Sequence, residues 1–377
     1  MSPDKAAFTS VEICAGAGGQ ALGLERAGFD HELLIEVDTH ACQTLRHNRP
    51  HWNVQEVDLR DYVKSGEALE LKGKIDLLAG GVPCPPFSLA GKQLGRDDER
   101  DLFPTMIELA GQLEPPAIMI ENVRGLMQSK FDEYRQEIMG KLGALGYECS
   151  WRELQASDFG VTQLRPRSIL VAMKPECWAH FDQETWHMPQ AGQKPPLSVG
   201  ELLKDSMEKR GLKGQRFKTW FDKASKDIAP TLVGGSKKHG GADLGPSRAK
   251  KAWKDLGVCG LGVADEPDEK GKTKNPERDL GLGKDNTNGP MLTVRQAALI
   301  QGFIPEGDES EWVFKGRKTA SYRQVGNAFP PPVAKAVGLQ IIGALKARRE
   351  EMAAMSSAGL PAPAGPLSSE TDLVVSR

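Results

Sequence analysis

The sequence predicts an α/β fold in which a doubly wound, mostly parallel sheet is joined to a smaller, loop-rich domain. Short apolar segments alternate with amphipathic helical segments over residues 1–173, and this alternation is typical of a parallel sheet covered by helices. Residues 174–290 are instead rich in proline, glycine and charge. Because this region also holds Phe217, Trp220 and Trp253, we expect a folded second domain there and not a linker.

Helical periodicity returns in residues 291–350, where one stretch has an apolar residue at every fourth position. These residues are Val333, Val337, Ile341 and Leu345. Such a stripe must pack on another element, and we expect that element to be the first domain. Residues 351–377 are rich in proline and small residues, which predicts a disordered tail.

The 377-residue chain has a hydrophobic content of 39% and a formal net charge of −2, an ordinary composition for a globular protein. Its six cysteines are scattered, without the spacing of a zinc site, so we expect reduced thiols and no metal. No apolar run approaches the roughly 18 residues of a membrane span, and the first residues lack the apolar core of a signal peptide. We therefore expect an intracellular protein with no membrane attachment.

Positive charge is concentrated in residues 204–254, where 14 lysines and arginines stand against 5 aspartates and glutamates. Such a block is more often a solvated face, although it also fits an electrostatic footprint for phosphates. Composition alone leaves both interpretations open.

A glycine-rich turn follows the first predicted strand, residues 10–14. Gly16, Gly18 and Ala21 fit the pattern G-x-G-x-x-G/A that opens a helix and lets the backbone approach a nucleoside-bearing cofactor. Glycine-rich turns also serve as simple tight connections. Glu36 ends the second predicted strand, where an acidic residue binds ribose hydroxyls; the alternative is a neighbour of a helix N-cap.

Candidate reactive side chains follow two further predicted strands. Strand 75–79 leads into "GGVPCPPFSLAG", which puts Cys84 on a loop at the strand's carboxyl end, and strand 117–120 ends in Glu121. Ligands of open parallel sheets gather at this edge. A lone cysteine is more often a small buried apolar residue than a nucleophile, so the interpretation of Cys84 depends on the other motifs.

Six motifs occur in a fixed order, namely "AGAGG", "PCPPFS", "ENVRGL", "QLRPR", "LTVRQAALIQGF" and "RQVGNAFPPP". Together they closely resemble the cytosine-5 DNA methyltransferase family of the bacterial restriction-modification type, from residue 8 to about residue 345. The resemblance implies the S-adenosylmethionine-dependent methyltransferase fold and DNA (cytosine-5-)-methyltransferase activity. Residues 1–173 become the catalytic and cofactor-binding domain, and residues 174–290 the target-recognition domain.

The resemblance also implies a binding site for S-adenosyl-L-methionine. The glycine loop would lie near its methionine part, Glu36 would hold the ribose, and Asp58, which ends a third predicted strand, would bind the adenine amino group. The full implied set is Cys14, Gly16, Ala17, Gly18, Gly19, Glu36, Val37, Asp58, Leu59, Pro83, Leu102, Asn327 and Ala328. Cys14 stands where the family most often has phenylalanine, and its place in a predicted buried strand favours a packing role.

The chemistry assigned by resemblance centres on Cys84. Carbon 5 of cytosine is a poor nucleophile, so a thiolate first adds to carbon 6 and later leaves. Glu121 would share a proton with the ring nitrogen N3 during that attack. Arg165 and Arg167 supply fixed positive charge, with Arg167 the better candidate for the base's carbonyl oxygen. The target base must be flipped out of the duplex to reach these groups.

The expected macromolecular partner is double-stranded DNA, contacted mainly by the target-recognition domain. The candidate contacts are Ser88, Gln163, Thr231, Lys237, Lys238 and Arg248. We further expect a monomer in the bacterial cytoplasm, associated with the nucleoid, and a cognate restriction endonuclease that acts on the same site.

Two alternatives share the fold. A cytosine-5 methyltransferase that acts on RNA uses the same chemistry, but the long region after Met173 favours a DNA-reading domain by its size. A catalytically silent DNA-binding relative would be free to lose Cys84, Glu121, Arg165 and Arg167, and all four are present.

Overall fold

The computed structural model describes residues 8–83, 101–234, 242–283 and 289–358. Four predicted site residues, Cys84, Ser88, Lys237 and Lys238, lie outside these ranges. The strands are β1 (Phe8–Ile13), β2 (Phe29–Glu36), β3 (Val54–Glu56), β4 (Leu77–Gly81), β5 (Ala117–Val123), β6 (Glu148–Gln155) and β7 (Pro166–Met173).

These strands form one seven-stranded sheet in the order β3-β2-β1-β4-β5-β7-β6. The five strands from β3 to β5 are parallel, whereas β7 is antiparallel to both β5 and β6. The order of the strands reverses between β1 and β4, which in doubly wound sheets is where a ligand crevice opens at the carboxyl ends. The predicted doubly wound, mostly parallel sheet is confirmed.

The helices are α1 (Gly19–Ala27), α2 (Thr39–Asn48), α3 (Leu59–Ser65), α4 (Phe103–Leu113), α5 (Asp132–Ala144), α6 (Pro175–Trp178), α7 (Val199–Lys209), α8 (Gly214–Ala224), α9 (Ser247–Asp255), α10 (Pro276–Asp279), α11 (Val294–Gln301), α12 (Lys318–Asn327) and α13 (Pro331–Ser357). Successive side chains of a strand point to opposite faces of the sheet. Thus Ile118 and Ile120 of β5 pack with α3, α4 and α5, whereas Ala117 and Met119 pack with α1, α6 and α13. Burial on both faces is what makes these strands continuously apolar.

The region predicted to be loop-rich contains more helix than expected. Helices α7, α8 and α9 pack around Leu203, Trp220 and Trp253, each of which is at most 3% exposed. The α7 helix begins with a capping box, because Ser198 and Glu201 each bind the other's backbone N–H. These helices were hard to predict since each buries only a narrow stripe among charged residues.

The long helix α13 packs along α1, as its apolar stripe predicts. Val333, Val337, Ile341 and Leu345 are all buried. The helix continues to Ser357, so the expectation of a tail from residue 351 is wrong for residues 351–357. One helical stretch among the described residues, 318–357, is long and apolar enough to cross a membrane, but 61% of its most apolar window is buried in the protein.

Two glycines test how tightly α1 and α13 pack. A Cβ on Gly23 of α1 would lie 2.4 Å from the Pro331 carbonyl oxygen, whereas a Cβ on Gly343, on the exposed side of α13, would meet nothing within 4 Å. We expect Gly23→Ala to lower the free energy of unfolding by about 1–3 kcal/mol through overpacking. Gly343→Ala should instead raise it by up to about 1 kcal/mol through helix propensity. Thermal unfolding measures both changes, and equal effects of the two substitutions would contradict this packing.

Candidate functional site

The glycine loop connects β1 to α1 and adopts conformations that glycine permits. Gly16 and Gly18 have φ of 54° and 84°, and Gly18 is the N-cap of α1. A Cβ on Gly18 would lie 2.7 Å from Leu45 Cδ2 and 2.8 Å from Trp312 Cζ2, so side chains crowd its outer side. A Cβ on Gly16 would meet nothing within 4 Å. Side chains therefore support the outer side of the loop, whereas the side at Gly16 is open.

A cavity of about 300 Å³ lies against this loop, where the strand order reverses. Its walls include twelve of the thirteen residues predicted to bind the cofactor, and Gly18 is the exception. The twelve are Cys14, Gly16, Ala17, Gly19, Glu36, Val37, Asp58, Leu59, Pro83, Leu102, Asn327 and Ala328. The motif "RQVGNAFPPP" reaches the site because α12 ends at Asn327, directly beside the first domain.

Glu36 lies at the end of β2 and binds backbone amides. One carboxylate oxygen accepts the Gly16 N–H at 2.7 Å, and the other accepts the N–H groups of Val37 and Asp38, both at 2.8 Å. Each carboxylate oxygen has two lone pairs, so capacity for further donors remains. Glu36 thus fixes the inner side of the glycine loop, which the sequence pattern did not reveal.

Asp58 and Cys14 lie outside the strands in which they were predicted. β3 ends at Glu56, and Asp58 is the N-cap of α3, where it accepts the Arg60 N–H at 2.8 Å. Cys14 follows the end of β1 with a φ of 50° and faces the cavity. Burial raises the pKa of its thiol, which keeps the thiol neutral. Cys14 therefore lies one residue beyond the strand in which it was predicted, but it packs against the core and also lines the cavity.

Sequence reasoning missed two polar side chains in the cavity wall. Glu12 is 1% exposed and Gln20 is 4% exposed, and the side-chain polar atoms of both lack a hydrogen-bond partner among the described residues. Burial raises the pKa of Glu12 well above its ordinary value. Groups buried without partners are costly, so they indicate a polar ligand. The signal available in the sequence was Glu12, a glutamate within the otherwise apolar end of β1.

A second cavity, of about 700 Å³, adjoins the first. Both are lined by Gly81, Pro83, Glu121 and Asn327. Pro83 directly precedes Cys84 in the sequence. The two cavities therefore meet at the carboxyl ends of β4 and β5, beside the position from which the chain continues to Cys84.

Glu121 and Arg167 form an ion pair in the wall of the second cavity. Arg167 Nε lies 2.7 Å from Glu121 Oε1, and both side chains are 13% exposed. The antiparallel register of β5 and β7 pairs Val123 with Arg167, which brings the arginine to the end of β5. Burial raises the pKa of Glu121, although Arg167 and Arg165 oppose the shift. The net effect is a carboxyl group that takes up a proton more readily than an exposed glutamate does.

Arg165 and Gln163 are fully buried and connect backbone segments. Arg165 donates to the carbonyl oxygens of Leu232, Gly326 and Ala328 at 2.7, 2.8 and 3.1 Å. The side-chain oxygen of Gln163 accepts the Leu232 N–H at 2.8 Å. The expectation that Gln163 contacts DNA does not fit this burial, and the contacts of Arg165 are those of a structural clamp.

Two other predicted DNA contacts, Thr231 and Arg248, are accessible. Thr231 lines the second cavity, and its hydroxyl donates to the Leu164 carbonyl oxygen. Arg248 is exposed on α9. Gly234 and Gly326 allow the recognition region to approach α12, because a Cβ on Gly326 would lie 2.4 Å from the Gly234 nitrogen.

Comparison with known proteins decides the family. The chain matches the sequence model of the family C-5 cytosine-specific DNA methylase over residues 8–343. The chain belongs to this family. Type II methyltransferase M.NgoMIV of Neisseria gonorrhoeae is 51% identical over 343 residues, which cover 90% of this chain and 98% of the relative. Type II methyltransferase M.NaeI of Lentzea aerocolonigenes is 51% identical over 340 residues, which cover 90% of this chain and 76% of the relative.

Solved structures of methyltransferases share the fold at low identity. The Entamoeba histolytica methyltransferase EhMeth has a TM-score of 0.56 at 16% identity, covering 90% of this chain and 98% of its own. A mutant of Spodoptera frugiperda DNMT2 has a TM-score of 0.53 at 19% identity, covering 90% of this chain and 100% of its own. The fold expected from the sequence motifs is confirmed, and the chain is a cytosine-5 DNA methyltransferase by family.

The buried Glu12 of this methyltransferase makes stability depend on pH. Because its pKa is raised in the folded state, the folded chain binds more protons than the unfolded chain above the ordinary glutamate pKa. Stability therefore falls as pH rises through that window. We expect Glu12→Gln to unfold at a higher temperature than the wild type at pH 8 and to lose this advantage at pH 4. Thermal unfolding without cofactor measures the difference, and a constant difference at every pH would contradict the assignment.

Proposed function

We propose that this enzyme transfers a methyl group from S-adenosyl-L-methionine to carbon 5 of a flipped cytosine in duplex DNA, through a covalent adduct with Cys84. The observation that carries the proposal is the junction of two cavities at Glu121. The first cavity is lined by the residues predicted to bind the cofactor. The second is lined by Glu121 and Arg167, a carboxyl group and a guanidinium suited to bind a cytosine. A reaction between two bound molecules needs such adjacent sites.

The residues of the first cavity suit S-adenosyl-L-methionine, which supplies an electrophilic methyl group when bound. Glu12 and Gln20 are the buried polar groups without partners, and they match the charged amino-acid part of this molecule. The open side of Gly16 admits a ligand close to the backbone. Glu36 and Asp58 supply carboxylates for the ribose and the adenine amino group.

Family membership and the surroundings of Glu121 support the proposed activation of the base. The Cys84 thiolate forms a bond to carbon 6 while Glu121 gives its proton to N3, so the ring keeps no net negative charge. The raised pKa of Glu121 suits this role because it makes the carboxyl group a better proton carrier near neutral pH than an ordinary glutamate. Arg167 holds the carbonyl oxygen of the base. After methylation, a base such as water takes the proton from carbon 5, the electron pair left on carbon 5 expels the Cys84 sulfur as a thiolate, and N3 returns its proton to Glu121.

We propose duplex DNA as the substrate because the relatives at 51% identity are named Type II methyltransferases. Thr231 would lie near the flipped base, and Arg248, Lys237 and Lys238 would contact phosphates. A cognate restriction endonuclease acting on the same site is part of this proposal. We further propose a monomer that acts in the cytoplasm on the nucleoid.

Labelled methyl transfer tests the proposal. The purified enzyme should incorporate the methyl group of S-adenosyl-L-methionine into duplex DNA, within a short recurring sequence around 5-methylcytosine, and not into bulk transfer RNA. Cys84→Ala should abolish incorporation because no other thiol replaces the nucleophile.

Cys149→Ala is the matched control. This thiol lies in β6 and outside both cavities, so the variant should keep wild-type activity. Labelling of transfer RNA alone would favour the RNA enzyme, and binding of DNA and cofactor without labelling would favour the silent relative. Full activity of Cys84→Ala would refute the covalent mechanism.

A further inference from the structure

A segment between α11 and α12, residues 302–317, passes over the outer side of the glycine loop, and we name it the strap. Two residues of α2 anchor it. Asn48 exchanges two hydrogen bonds with the backbone of Val313, both 2.8 Å long, and Thr44 Oγ1 accepts the Lys315 N–H at 2.8 Å. These contacts fix the strap directly after Trp312.

The strap is also tied to α1. Arg26, whose side chain is 6% exposed, pairs with Glu309 at 2.5 Å and donates to the Ile304 carbonyl oxygen at 2.8 Å. Arg49 adds a longer contact to Glu309, at 3.8 Å. The strap is therefore held at its beginning by α1 and at its end by α2, so the position of Trp312 is set by both helices.

Trp312 contacts the glycine loop in two ways. Its indole N–H donates to the Ala17 carbonyl oxygen at 2.9 Å, and its ring fills the space in which a Cβ of Gly18 would stand. The same peptide unit is held at its other end, because the Gly18 N–H donates to the Ala15 carbonyl oxygen at 3.0 Å. Both polar groups of the peptide between residues 17 and 18 are thus satisfied by fixed partners.

The indole ring is itself locked. Its centroid lies 6.0 Å from the rings of both Trp52 and Phe303, and the Arg49 guanidinium lies 5.3 Å from its centroid. Trp52 is 5% exposed and Phe303 is 3% exposed. Because Trp52 and Phe303 are buried, they hold the ring from the side of the core, and the indole supports the loop.

We infer that Trp312 is a positioning residue for the cofactor. It is not part of the cavity wall and acts through the loop, pressing on the outer side while Glu36 binds Gly16 from the inner side. This inference rests on the proposed function, because it assumes that the cavity binds S-adenosyl-L-methionine. Without Trp312 the peptide between residues 17 and 18 can rotate, and the loop loses its binding-ready shape.

Titration calorimetry with S-adenosylhomocysteine tests the inference without turnover. Trp312→Phe keeps an aromatic ring beside Gly18 but removes the N–H. We expect its dissociation constant for this probe to rise about fivefold, the effect of one lost hydrogen bond. The KM for duplex DNA should stay unchanged, and amide exchange should increase over residues 15–19.

Two further variants make the test specific. Val313→Ala alters the neighbour of Trp312 on the strap, whose side chain is 43% exposed, and should bind the probe as the wild type does. Asn48→Ala keeps Trp312 but removes the hydrogen bonds that hold the strap, so its dissociation constant for the probe should also rise. If Trp312→Phe does not fold, Asn48→Ala alone tests the inference. Wild-type affinity in both Trp312→Phe and Asn48→Ala would overturn the inference. Failure of the wild type to bind the probe would instead overturn the proposed cofactor.

Discussion

The junction of the two cavities is built on one carboxyl group near the end of a parallel strand, because Glu121 lines both cavities. Glu121 lies two residues before the end of β5, and its carboxyl group is tolerated there because Arg167 lies 2.7 Å away. Arg167 reaches the Glu121 side chain because β7 lies between β5 and β6 and runs antiparallel to β5. Arg165, two residues earlier, is then buried among the carbonyl groups of the recognition region and α12. The start of β7 therefore carries the partner of Glu121, and the residue directly before this strand is the arginine that connects these backbone segments.

The parts of the fold with a strong periodic signal were predictable from the sequence. Buried strands of the sheet are continuously apolar, and the stripe on α13 repeats every fourth residue. Part of the wall of the first cavity was predictable for a different reason, since the glycine turn and the acidic residue that ends β2 have recognised geometric roles. The resemblance to a known family added the distant residues, such as Asn327, which no local pattern connects to Gly16.

Residues whose role depends on long-range contacts were not predictable. Gln163 and Arg165 look like surface groups in a polar motif, but they are buried because Leu232 and Ala328 cover them. The sequence did not predict helices α7 to α9, because their narrow apolar stripes lie among charged residues. Trp312 and Glu12 carry no motif, and their importance follows only from what lies opposite them in space.

The central claim is that Glu121 acts as a protonated acid where the two cavities meet. The pH dependence of turnover by the wild type and by Glu121→Gln tests it most directly. The wild-type rate should fall at high pH, because the carboxyl group loses its proton above its raised pKa. Glu121→Gln should be slower by a factor of about 10² to 10⁴ and should lack that decline. An unchanged rate in Glu121→Gln, or the same decline at high pH in both enzymes, would contradict the account.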